Sequence, residues 1–126
     1  MTIQKLKEGR KIPYDVLKAY SIDEAVELIK RALDKEPDNG AFVDSLGWAY
    51  FKQGKLLEAV RILKRAVELT DNDPVVVEHL GDVFHKRGLF EQAVEQWKRS
   101  LELDPDNEIL KDKIDRVYSE EKTIQN

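Results

Sequence analysis

Apolar residues along this chain recur at spacings of three and four. Val43, Leu46, Ala49 and Tyr50 form one such run, and Ala59, Ile62, Leu63, Ala66 and Val67 form another. That spacing keeps one face of a helix apolar, so each run predicts an amphipathic helix. The runs are punctuated by Gly54-Lys55 and Gly88-Leu89, where glycine suits the left-handed position that ends a helix. Asp73 precedes Pro74, which reads as an N-cap followed by proline at the first helical position. Asp104-Pro105-Asp106-Asn107 does a similar job before the last apolar run, and Ser21-Ile22-Asp23-Glu24 fits a capping box. Each unit therefore reads as a helix, a tight turn, a second helix and a short acidic turn.

The pattern is periodic. Leu46-Gly47-Trp48-Ala49-Tyr50 aligns with Leu80-Gly81-Asp82-Val83-Phe84, with the two glycines 34 residues apart. The same offset aligns Ala25, Ala59 and Ala93; Ala32, Ala66 and Ser100; and Lys18, Lys52 and Lys86. It also aligns the pairs Lys30-Arg31, Lys64-Arg65 and Lys98-Arg99. A fixed period of this length marks a repeat architecture. Gly47 and Gly81 on the first helix of a unit, with Ala59 and Ala93 on the second, let two helix axes approach closely. Tyr50, Phe84, Leu63 and Trp97 fill the space alongside.

These residues resemble the tetratricopeptide repeat (TPR) family. Its pattern is a large residue, Leu-Gly, Tyr, Ala, a large residue, Ala and Pro on the same period. Residues 40–73 match through Val43, Leu46, Gly47, Tyr50, Ala59, Leu63 and Ala66, with Asp71 where proline is usual. Residues 74–107 match through Val77, Leu80, Gly81, Phe84, Ala93, Trp97 and Pro105, with Ser100 in place of Ala. The stretches DSLGWAYFKQGKLLEA and DPVVVEHLGDVFHKRGLFEQA look like the C-terminal repeats of larger bacterial multi-TPR proteins. The resemblance implies an all-α fold, a right-handed α-solenoid of antiparallel helix pairs with about seven helices.

The expected organisation is one domain. It has an N-terminal segment 1–13, a partial repeat 14–39, repeats 40–73 and 74–107, a capping helix 108–120 and a tail 121–126. In the partial repeat, Pro13 falls where the glycine belongs, so its first helix is expected only from Tyr14 to Tyr20. The capping helix turns Ile109, Leu110, Ile114, Val117 and Tyr118 to the last repeat. Lys111, Asp112, Lys113, Asp115, Arg116, Glu120 and Glu121 face water, as a terminal repeat needs. No comparable polar cap closes the N-terminal end. Either the chain was once longer, or a second copy covers that edge in a homo-oligomer.

Composition narrows the chemistry. At 126 residues the chain is long enough for a real core. There is no cysteine, which excludes disulfides and thiolate metal sites. The net charge of −4 is spread along the chain and argues against nucleic acid as a ligand. The basic pairs stack as a stripe, but Glu27, Asp34, Glu68, Glu95 and Glu102 lie three or four residues from them, as in intrahelical ion pairs. His79 and His85 are six residues apart and point in different directions, so they cannot chelate one metal. There is no Gly-rich phosphate loop, nucleophile elbow or paired acid–base site. The expectation is a non-enzyme without cofactor or metal. No stretch approaches the roughly 18 apolar residues of a membrane span. MTIQKLKEGRKIPYD has no apolar signal core, so the default location is the cytoplasm.

The family resemblance implies that the first helix of each repeat lines a concave groove. By register, the groove positions are Tyr14 and Leu17; Ala41, Asp44, Ser45, Trp48, Phe51 and Lys52; and Val75, Glu78, His79, Asp82, His85 and Lys86. Some relatives clamp acidic chaperone tails with Lys, Asn and Arg at set groove positions. Here those positions hold Arg10, Tyr14, Ser45, Val75 and His79, so the carboxylate would lack its charged donors. The candidate site is Tyr14, Trp48 and Phe51 with Asp44, Lys52, Glu78, Asp82 and His85 around them. Aromatic anchors with a polar rim suit a peptide or helix of a partner protein, with basic ligands favoured by the acidic rim.

Overall fold

The computed structural model describes residues 21–125, with side chains described as far as Glu120. The expected Tyr14–Tyr20 helix, Tyr14 itself and segment 1–13 lie outside the described residues. Six α-helices and no strand are present among those described. They are α1 (Ile22–Lys35), α2 (Gly40–Lys52), α3 (Leu56–Leu69), α4 (Pro74–Lys86), α5 (Phe90–Leu103) and α6 (Glu108–Gln125). The chain clusters into two compact units that divide between Asn72 and Asp73. The last helix continues through residues assigned to a tail from the sequence, where Glu121-Lys122-Thr123-Ile124 contains no glycine or proline to stop it.

In the first unit α2 packs on α1 and on α3. Val26, Ile29 and Ala32 of α1 meet Phe42, Leu46 and Ala49 of α2 in one buried cluster. Leu63, Ala59 and Ala66 close the other side from α3. In the second unit α5 packs on α4 and α6. Its core joins Val76, Val77, Leu80, Val83 and Phe84 to Ala93, Val94 and Trp97, and to Leu110, Ile114 and Val117. Burying each large apolar side chain stabilises the fold by about 1.5–3 kcal/mol.

The glycines of the Leu-Gly pairs act through space. A Cβ on Gly47 would lie 2.6 Å from Leu63 Cδ2, and one on Gly81 would collide with the Trp97 indole. Each glycine is thus the socket for the large residue of the facing helix.

The helix ends arise from local chemistry. Ser21, Asn39, Asp73 and Asn107 each accept a backbone N–H two or three residues on, from Glu24, Phe42, Val75 and Leu110. Gly54 at φ +79° and Gly88 at φ +80° end α2 and α4 in the left-handed region. The next N–H groups, of Lys55 and Leu89, reach back to Tyr50 O and Phe84 O, both at 2.9 Å. The Gly54 and Gly88 N–H groups donate to Phe51 O and His85 O at 3.0 and 2.9 Å, completing the double hydrogen bond of a glycine C-cap.

The three connections that link one pair of helices to the next differ. Glu36 and Asp104, each before a proline, leave the helical region at φ −134°, ψ 72° and φ −139°, ψ 84°, since a proline in the next position disfavours a helical residue before it. Asp71 and Asn72 are left-handed at φ 52° and 65°. Proline cannot adopt that φ, which explains its replacement by Asp71. The division between the two units falls at this connection.

Candidate functional site

The expected site residues fall into two groups, one in each unit. On α2, Trp48 and Phe51 are half-buried, with ring centroids 4.9 Å apart and planes tilted by 36°. Their three-residue spacing puts both rings on one side of the helix. The exposed Lys52 places Nζ 5.0 Å from the Trp48 centroid and 5.7 Å from that of Phe51. Cation–π attraction of this kind contributes about 0.5–1 kcal/mol at an exposed site. Asp44, one turn earlier, is not on an open rim: it is 4% exposed. Ser45 is also buried and donates its hydroxyl to Ala41 O.

On α4, Glu78 and Asp82 are one turn apart and both hold Lys113 of α6. Lys113 Nζ lies 2.7 Å from Glu78 Oε2 and 3.0 Å from Asp82 Oδ1. Asn107 Nδ2 donates to Glu78 Oε1 at 3.1 Å, and Trp97 Nε1 donates to Asp82 Oδ1 at 3.1 Å. Burial pushes the Asp82 carboxyl above its ordinary value, against the pull of Lys113. Burial also works to lower the Lys113 ammonium, but its bonds to Glu78 and Asp82 outweigh that and raise it. The His85 ring lies 5.3 Å from Phe90 and 5.5 Å from Trp97, centroid to centroid.

Lys113 was expected on the water-facing side of the last helix, and that assignment is corrected. It lies at the repeat position of Ser45 and His79, and Asn107 at that of Asn39 and Asp73. The 34-residue offset would have located both had it been extended once more, past residue 107, where the expected repeats stop. The acidic rim anticipated from Asp44, Glu78 and Asp82 is therefore largely turned inward or already paired.

Three residues of the basic pairs find partners away from the acids of their own helix. Arg65 bridges to Asp38. Lys30 lies over the Tyr50 ring at 5.9 Å and Lys98 over the Tyr118 ring at 5.5 Å. Tyr50 and Tyr118 are two periods apart, so one arrangement recurs in both units. Ser100, where Ala stands in the other repeats, is buried and donates its hydroxyl to Pro74 O at 2.7 Å.

Among the described residues, no group of three or more His, Cys, Asp or Glu is placed to hold a metal ion. No helix among them is long and apolar enough to cross a membrane.

A family profile described as tetratricopeptide repeat matches residues 16–78, half of the chain. The chain belongs to the tetratricopeptide repeat family. A second profile, described as TPR repeat, matches residues 81–110. No curated protein sequence matches this TPR chain. Solved structures do. The first TPR domain of human RPAP3 superposes with a TM-score of 0.79 at 24% identity, covering 93% of this chain and 90% of that one. The first TPR of Spaghetti (RPAP3), solved with the HSP90 peptide SRMEEVD, gives 0.80 at 24% identity and the same coverage. The translocator chaperone SycD of Yersinia enterocolitica type III secretion gives 0.73 at 15% identity, covering 98% of this chain and 92% of that one. These likenesses establish the fold class, an all-α solenoid of helix pairs.

Proposed function

We propose that this TPR chain is a non-catalytic protein–protein interaction module that holds a peptide or helix of a partner, with Trp48 and Phe51 as its anchors. One observation carries the reading: two half-buried rings on α2 sit 4.9 Å apart, with a lysine over both. Each ring keeps apolar area that a partner side chain can cover. Large aromatics seated on a rigid helix supply that area at little conformational cost. The contact residues of the partner are apolar or aromatic.

Glu78, Asp82 and His85 belong to the proposal as the equivalent face of α4. A ligand would meet these two acids already bonded to Lys113. The peptide complex of Spaghetti supports peptide capture on this fold. Its acidic peptide is not carried over. The clamp positions here include the buried Ser45, together with Val75 and His79, and none of the three is a lysine, an arginine or an asparagine.

The test is affinity capture from lysate of the source cell, with the wild type beside a Trp48→Ala, Phe51→Ala variant. The expected result is a partner lost in the variant while its circular dichroism and melting stay close to wild type. A well-folded variant that keeps every partner would overturn the groove reading.

A further inference from the structure

The second unit carries an apolar groove of about 390 Å³ between α5 and α6. Its floor is Val94 and Val117, both buried. Its walls are Phe90 and Tyr118, exposed by 36% and 43%. Glu91 and Glu95 also line it, one helical turn apart on α5, and Lys98 lies over the Tyr118 ring. The groove therefore combines an apolar floor with a pair of carboxylates, while the lysine beside them is engaged with an aromatic ring.

The chain contains a segment of matching chemistry. Residues 1–12 interleave Ile3, Leu6 and Ile12 with Lys5, Lys7, Arg10 and Lys11, against a single acid, Glu8. Four cations less one anion give this segment +3, so the rest of the chain carries −7 within the total of −4. Lys7 and Lys11 are four residues apart, the same sequence spacing as Glu91 and Glu95. Charge separation of this size between one short stretch and the rest of a chain favours pairing between copies, and it acts on association rate and register.

We infer that the α5–α6 groove receives the basic segment 1–12 of a second copy of this chain. Ile3, Leu6 or Ile12 enters between Phe90 and Tyr118, and Lys7 and Lys11 meet Glu91 and Glu95. The inference uses none of the residues of the α2 aromatic pair and stands apart from the partner-binding proposal.

Sedimentation equilibrium of the full chain over a concentration series, at low and high salt, is the test. Wild type should associate with concentration, less so at high salt. Glu91→Lys with Glu95→Lys should weaken association by about tenfold or more, as should Lys7→Glu with Lys11→Glu. All four substitutions together should restore it. All four positions being replaced are charged, and circular dichroism confirms that each variant is folded. A wild type that stays monomeric throughout overturns the inference. So does association that is indifferent to the Glu91 and Glu95 reversals, or that is lost on Trp48→Ala instead.

Discussion

The α2–α3 pair and the α4–α5 pair fill one 34-residue frame in opposite ways. In the first, the large ring is on the leading helix: Trp48 stands half-buried, and small Gly47 beside it receives Leu63. In the second, the large ring is on the trailing helix: Trp97 takes the position of Leu63, and Asp82 takes that of Trp48. Trp97 is 3% exposed and donates to Asp82, which α6 then neutralises through Lys113. An indole that goes into the core brings an N–H that needs an acceptor. The acceptor chosen here is a carboxylate, and its charge in turn needs a cation. Two replacements, Asp82 at the position of Trp48 and Trp97 at that of Leu63, thus create a closed polar cluster in one unit and leave a partly exposed aromatic face in the other.

The sharpest break of that contrast is Trp97→Ala. It should cost about 3–5 kcal/mol in urea unfolding, because it empties a core site and strips Asp82 of a donor. Trp48→Ala should cost about 1 kcal/mol or less. Equal losses would mean that both rings are core and that the two pairs do not differ as described.

The glycine sockets sharpen the comparison. Gly81→Ala should destabilise by about 1–3 kcal/mol, and by more than Gly47→Ala. The indole is rigid and fixed by its hydrogen bond, whereas Leu63 can change rotamer. A larger loss at Gly47, read from the same denaturation curves, would reverse the assignment.

Lys113→Met should destabilise by about 1–3 kcal/mol, because it leaves Glu78 and Asp82 together without their cation. It also predicts a difference in pH response. The folded chain holds the Lys113 proton more tightly than the unfolded chain, whose value is near 10.5. The resulting stability is fully present below 10.5 and is lost as pH rises through the higher folded value. Wild type should therefore lose more stability than Lys113→Met over that alkaline range. Parallel curves would remove Lys113 from the cluster.

The smallest expected effect is Gly88→Ala. The added Cβ meets nothing within 4 Å, but the residue sits at φ +80°, so the loss is the left-handed strain of roughly 1 kcal/mol. Gly54→Ala should match it, since the two caps are alike. A marked inequality would show that the turns, as well as the cores, differ between the pairs.

Periodicity, caps and small-residue sockets were legible from the residues alone. Each depends on neighbours within a few positions or on a fixed offset: Ser21 and Asp73 cap the helices that start after them, Gly54 and Gly88 end the helices before them, and Gly47 and Gly81 mark the close approach. The electrostatics of the candidate site were not legible in this way. Lys113 looked like one more charge on a solvated helix, and Glu78 and Asp82 like a free acidic rim. They meet only because α6 is folded back on α5 in the second unit, across 31 to 35 residues of chain. The sequence by itself determined a TPR chain of amphipathic helices with defined ends. Tertiary packing alone decided which charges face inward and which rings stay half-buried, because burial and pairing depend on distant elements that local patterning does not record.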